Sequence, residues 1–82
     1  MTTVSHSDQE RRLVIVAYER GYRLGAQRGG DWSNDRVGAV LKTTAALIAD
    51  IQLGTYQTEY IQGLADAFAD TLARRRAAAS GA

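Results

Sequence analysis

The sequence predicts an all-α protein, a three-helix bundle. Apolar residues recur at three- and four-residue spacings, proline is absent from the 82 residues, and glycine-containing segments separate the periodic stretches. The β-branched run Val14-Ile15-Val16 would suit a strand. Helical periodicity continues beyond it to Arg28, which favours a helix. We expect helices at about 7–28, 34–53 and 56–77.

The first helix has clear start and stop signals. Ser7 is followed three residues later by Glu10, which matches a capping box. The pair Gly29-Gly30 is expected to end the helix, because glycine accepts the left-handed conformation of a C′ residue. Residues 1–6 have no periodicity, so we expect a disordered tail there.

The second and third helices are predicted to form an antiparallel hairpin. Ser33 is the expected N-cap of helix two, with Trp32 and Val37 at the spacing of a hydrophobic staple. Gly54 is the expected C′ residue and Thr55 the next N-cap, which leaves almost no linker. One long helix through Gly54 is the alternative, at a cost of about 1 kcal/mol. Residues 7–78 would form a single helical domain, and residues 79–82 a second disordered tail.

Small residues recur every four positions along helix one. Glycine inside a helix costs roughly 0.5–1 kcal/mol relative to alanine, so such a pattern suggests that something approaches the backbone closely. The approaching element is either another helix of this chain, which we favour, or a second chain. The candidate helix-packing or dimer face consists of Ala17, Gly21, Gly25 and Gly29.

Tyrosine and arginine flank this face. Tyrosines at this spacing are typical of half-buried packing residues, but tyrosine beside arginine is also the composition of interface hot spots. The candidate partner-binding residues are Tyr18, Tyr22, Arg20 and Arg23. A chain this short buries only about 60% of its unfolded surface, and it has no cysteine to reinforce its core. We therefore expect self-association, as a homodimer.

Residues suited to catalysis or to metal and cofactor binding are scarce. The only histidine, His6, lies in the predicted tail, and there is no cysteine. Residues 31–42 open like a calcium loop, but Arg36 and Lys42 replace its glycine and its final glutamate. Asp66 and Asp70 share a helix face, where an ion pair from Asp70 to Arg74 is the simplest interpretation. We expect no enzyme activity, no catalytic residue, no metal and no cofactor.

Charge and hydropathy limit the partners further. The net charge is +1, whereas DNA-binding domains usually carry a clear basic excess. The longest apolar run, residues 13–17, is shorter than the roughly 20 residues of a membrane span and the roughly 7–15 of a secretory signal. These observations predict a cytoplasmic protein that does not enter the membrane and for which nucleic acid is a disfavoured partner.

The leading hypothesis is a non-catalytic protein–protein interaction module. The alternative is a small dimeric DNA-binding regulator that uses helices two and three as a helix-turn-helix. Against it, both helices are about 20 residues long and Asp66 and Asp70 lie within the would-be recognition helix.

A resemblance bears on the origin of the chain. Residues 17–25 read Ala-Tyr-Glu-Arg-Gly-Tyr-Arg-Leu-Gly. This segment resembles the Tyr/Gly-spaced helices of small uncharacterised proteins from bacteriophages that infect GC-rich actinobacterial hosts. The resemblance implies a short accessory protein that binds a host protein, and it supplies no motif from which functional residues could be transferred. Nine of the ten basic residues are arginine, which also indicates a GC-rich genome.

Overall fold

The computed structural model describes residues 6–50 and 52–81, which form three α-helices. They are α1 (His6–Gly30), α2 (Asn34–Asp50) and α3 (Thr55–Ser80). The predicted all-α class is confirmed. Residues 1–5 of the tail predicted at 1–6 lie outside the described residues, and His6 is instead the first residue of α1. The side chain of Ser7 in the predicted capping box also lies outside them.

The glycines at the helix ends differ from the prediction in their backbone conformation. We expected left-handed glycines after α1 and α2, but no glycine in the described part of the chain has a positive φ angle. α1 instead continues through Gly29 and Gly30, and the N–H groups of Asp31 and Trp32 bond to the carbonyls of Arg28 and Gly29 at 3.3 and 3.2 Å. α1 still ends at this pair, with Gly30 as its last residue, but Gly29 lies against α3 and its small size serves packing.

The other helix boundaries also shift. α2 ends at Asp50, earlier than expected. Gly54, with φ −65° and ψ 162°, is the N-cap of α3, so the expected N-cap Thr55 is instead the first helical residue. α3 continues to Ser80, so residues 79 and 80 are helical where a tail was predicted. Alanine is the strongest helix former, and the run 77–79 propagates the helix. The Ser80 hydroxyl donates to the carbonyl of Arg76 at 2.6 Å.

The start of α2 follows the sequence signals. Ser33 Oγ accepts the N–H of Arg36 at 3.2 Å, so the predicted N-cap is confirmed. Trp32 stacks on Phe68 of α3 with ring centroids 5.5 Å apart, and the Arg36 guanidinium lies 4.4 Å from the Trp32 ring. Val37 is fully buried. These contacts fix the α1–α2 turn against α3.

α3 is the helix on which the other two pack. Its larger interface is with α1 and its smaller one is with α2, whereas α1 and α2 have no comparable interface. α1 runs parallel to α3, because Gly21 lies beside Tyr60 and Gly29 lies beside Thr71. α2 runs in the opposite direction, because its first residue, Asn34, contacts Arg75 near the end of α3.

The core is thin. The buried apolar side chains are small apart from Val37 and Phe68, and no leucine or isoleucine among the described residues is buried. The radius of gyration is 15.4 Å, against about 12 Å for a compact domain of this length. Much apolar surface therefore remains accessible on the outside of the three helices. The buried apolar set is Ala17, Val37, Ala65, Ala67 and Phe68.

Arg75 ties the three helices together at one end. Its guanidinium donates to the carbonyl of Gly29 at 2.8 Å and to Asn34 Oδ1 at 2.8 Å. Arg75→Ala should lower the free energy of unfolding by about 1–2 kcal/mol, because charge-assisted hydrogen bonds to both other helices are lost. Urea unfolding measures this. The neighbouring exposed Arg76 is the control, and an equal loss in Arg76→Ala would contradict the role given to Arg75.

Candidate functional site

The small residues of α1 form a seam with α3. Ala17, Gly21, Gly25 and Gly29 are all buried. A Cβ atom added at Gly21 would overlap the backbone carbonyl of Tyr60. One added at Gly25 would lie 2.8 Å from Ala67 Cβ, and one at Gly29 would lie 3.3 Å from the Phe68 ring. In this structure the candidate face therefore contacts α3 of the same chain.

Gly63 of α3 completes the seam from the other side, and the sequence analysis missed it. A Cβ atom there would overlap the Tyr18 carbonyl and would lie 2.7 Å from the Tyr22 backbone nitrogen. The available signal was the four-residue spacing of Gly63 and Ala67, both of which are buried. With glycine on both helices, the two backbones touch directly and dispersion contacts replace interlocking side chains.

Two tyrosines of α1 reach across the edge of this seam. Tyr18 Oη donates to Asp66 Oδ2 at 2.5 Å, and Tyr22 Oη donates to Asp70 Oδ2 at 2.6 Å. The two tyrosine rings stack with centroids 6.3 Å apart. We call these four residues the tyrosine–aspartate ladder. Its register repeats every four residues on both helices, which matches one helical turn.

Further polar groups support the ladder. Gln62 Nε2 donates to Asp66 Oδ1 at 2.8 Å, and Arg74 Nη2 donates to Tyr22 Oη at 3.3 Å. The helical spacing of Asp70 and Arg74 predicts a surface ion pair, but in the structure the hydrogen bond of Asp70 is with Tyr22. Sequence spacing within one helix could not show that another helix lies alongside.

The ladder raises the pKa of both phenols. The hydrogen bond to the Asp66 carboxylate raises the pKa of Tyr18 from 10.0 to about 12, with smaller contributions from desolvation and from nearby negative charge. The hydrogen bond to Asp70 likewise raises the pKa of Tyr22, and Arg74 partly opposes that shift. The neutral phenol is the form that the folded state prefers.

Three of the four candidate partner-binding residues, Tyr18, Tyr22 and Arg23, line one surface depression, and Arg20 lies apart from them. Tyr18 and Tyr22 are half-buried and belong to the ladder. Arg20 lies on the other side of α1, where its guanidinium is 3.4 Å from Tyr56 Oη. Arg23 is exposed beside Tyr18 and Tyr22, at a shallow surface depression. The tyrosine hydroxyls therefore bond to α3, while both tyrosines and Arg23 line a depression that is open to a partner.

A second surface was not singled out from the sequence. The apolar turn of α1, residues 13–16, is largely exposed, with Leu13 and Ile15 each at 56% and Val16 at 39%. Tyr56 of α3, 39% exposed, lines a depression together with Leu13. The signal in the sequence was a run of four apolar residues, which must point to every side of a helix.

Gly21→Ala should destabilise the protein by about 1–3 kcal/mol, because the added methyl group overlaps the Tyr60 carbonyl and forces α1 away from α3. Gly38→Ala is the matched control. Gly38 is also helical, with nothing within 4 Å of the added Cβ atom, so alanine there should stabilise by about 0.5–1 kcal/mol. Chemical denaturation of both variants measures the difference, and equal effects would contradict the close contact.

Tyr18→Phe should reduce stability by about 1 kcal/mol at pH 8 and flatten its dependence on alkaline pH. A raised pKa means that the folded state holds the phenolic proton more tightly than the unfolded chain. The contribution is complete below pH 10 and is lost as pH rises toward the folded pKa of about 12. Unfolding measured between pH 8 and 12 tests this, with Tyr56→Phe as the control. A slope unchanged by Tyr18→Phe would contradict the assignment.

The remaining observations concern metal ligands, membrane spans and similarity to other proteins. Within the described residues, no three side chains of His, Cys, Asp or Glu come together as metal ligands would. None of the helices over that same part of the chain has the length and apolar character needed to cross a membrane. No protein-family model, curated protein or solved structure matches the chain.

Proposed function

We propose that this protein is a non-catalytic interaction module that binds other protein chains and also associates with a second copy of itself. The observation that carries this proposal is the exposed apolar turn of α1, residues 13–16. Single exposed apolar side chains are ordinary, but exposed ones that share a helix face, such as Ile15 and Val16, form a patch of the kind that marks interaction surfaces. In the proposed homodimer, helices of the two copies together complete a helical bundle.

The thin core supports self-association. Leu24 of α1 and Leu64 of α3 remain half-buried although both lie along the main interface region. Each buried methylene group contributes about 0.8 kcal/mol to stability, so the large side chains that are only partly buried contribute less than they would if fully buried. A protein surface laid against them would recover part of it.

Besides a second copy of itself, the chain is proposed to bind a host protein. This proposal comes from the resemblance of residues 17–25 to small actinobacteriophage proteins. It would be a cytoplasmic protein of a GC-rich bacterial host. The depression that Leu13 and Tyr56 line is the proposed contact, because Glu10 also lines it and Arg20 reaches the Tyr56 hydroxyl, which places charged groups beside the apolar side chains. Such a surface has the apolar centre and polar rim of protein interfaces.

Leu13→Asp should reduce capture of a host protein at least about tenfold, because a buried unpaired carboxylate at an interface costs more than 1.4 kcal/mol. The measurement is affinity capture by the tagged chain from a nuclease-treated lysate of a GC-rich bacterium, with quantitative mass spectrometry. Ala39→Asp is the control, since it adds the same charge at an exposed position of α2. Circular dichroism establishes that both variants fold.

The result would contradict the proposal if both variants retained the same proteins at the same level. Retention of DNA alone from an untreated lysate would favour the DNA-binding regulator. No observation in the structure favours that alternative. Arg75, within the basic run at residues 74–76, is already bound to Gly29 and Asn34.

A further inference from the structure

We propose that two copies of the chain associate by antiparallel pairing of their α1 helices, centred between Ile15 and Val16. This inference rests on the self-association proposed above and specifies its surface and geometry. The contact surface, which we call the outer face of α1, consists of Arg12, Ile15, Val16 and Glu19.

The outer face has the spacing of a helix–helix contact. Its four residues follow the pattern i, i+3, i+4 and i+7, which places them along one side of an α-helix. All four are exposed. The face points away from the rest of the chain, because Glu19 is two residues from Ala17 and from Gly21, roughly 160–200° around the helix from residues that face α3. Two copies can therefore meet here without collision between their α3 helices.

The charges on the outer face complement themselves under a two-fold axis. Arg12 lies three residues before the apolar pair and Glu19 lies three residues after it. An antiparallel second copy reverses this order, so Arg12 of each chain faces Glu19 of the other, and the apolar pairs meet between them. Parallel pairing would place Arg12 against Arg12 and Glu19 against Glu19. The charge order therefore selects the antiparallel arrangement.

The outer face of α1 has apolar surface left to bury. Ile15 is 56% exposed and Val16 is 39% exposed. Binding to an unrelated partner does not require opposite charges at equal distances on either side of the apolar pair. Antiparallel pairing with an identical copy does require them, so this charge order favours a second copy as the partner.

The test is a charge exchange followed by sedimentation equilibrium of the full chain at low salt. Arg12→Glu sets carboxylates against each other at both ends of the interface, and Glu19→Arg does the same with guanidinium groups. Each single variant should raise the dimer dissociation constant about tenfold. The double variant restores opposite charges at both ends and should return the constant to within about threefold of wild type. Lys42→Glu, on the exposed side of α2, is the control and should leave it unchanged.

Salt provides a second measurement. The difference between wild type and each single variant should shrink as ionic strength rises from about 0.05 to 1 M, because the Debye length falls to about 3 Å. Circular dichroism confirms that every variant keeps its helices, as expected for substitutions on an exposed face.

Three results would overturn the inference: a wild-type chain that stays monomeric, a dimer that ignores the single reversals, or a double variant no stronger than the singles. A dimer indifferent to these changes would leave self-association standing and place its interface elsewhere. Loss of host-protein capture in Leu13→Asp with the dimer intact would separate the two binding events. An intact dimer without any captured protein would overturn only the proposed second partner.

Discussion

The direct contact between the backbones of α1 and α3 is the constraint on which the rest of the structure depends. Gly21 and Gly25 on one helix and Gly63 on the other leave no room for side chains between them. Because the helices lie so close, Tyr18 and Tyr22 can span the gap to carboxylates on α3. The same closeness holds the carbonyl of Gly29 within reach of Arg75. A wider seam would break all of these hydrogen bonds together.

The close contact also explains why the chain has so little core. Glycine and alanine contribute little apolar area, so the α1–α3 seam gains dispersion and hydrogen bonding but little hydrophobic free energy. Among the described residues the largest buried apolar side chains are Val37 of α2 and Phe68 of α3, and both Trp32 and Gly29 pack against the Phe68 ring. The larger aliphatic side chains stay half-buried or exposed. A protein built in this way has apolar surface available for partners.

α1 therefore carries two different faces. Its inner face uses small residues such as Ala17 and Gly21 to approach α3. Its outer face presents Ile15 and Val16, with Arg12 and Glu19 on either side. Both faces have helical spacing, but they differ in their side chains. The small residues of the inner face let the α3 backbone come close, whereas the larger side chains of the outer face are exposed. In the dimer that we propose, α1 packs against α3 of its own chain through the inner face and against α1 of the second copy through the outer face.

The sequence by itself determined the helical class, the three elements and the cap at Ser33. Each depends on local chemistry: periodicity, absence of proline, and a hydroxyl that bonds to backbone three residues away. It also showed that something must approach Gly21 and Gly25. Glycine in a helix has a local cost that only a contact outside the helix explains.

Only the tertiary structure decided which contact that is, because the answer lies on a segment some 40 residues away along the chain. Gly63 and the carboxylates of Asp66 and Asp70 look like ordinary features of an exposed helix until α1 is placed beside them. The end of α1 shows the same limit. Gly29 and Gly30 carry the local signal of a helix stop, yet packing against Phe68 gives Gly29 a different use. Local propensity determines where helices form, whereas the packing of one helix against another determines which small residues lie at a close contact.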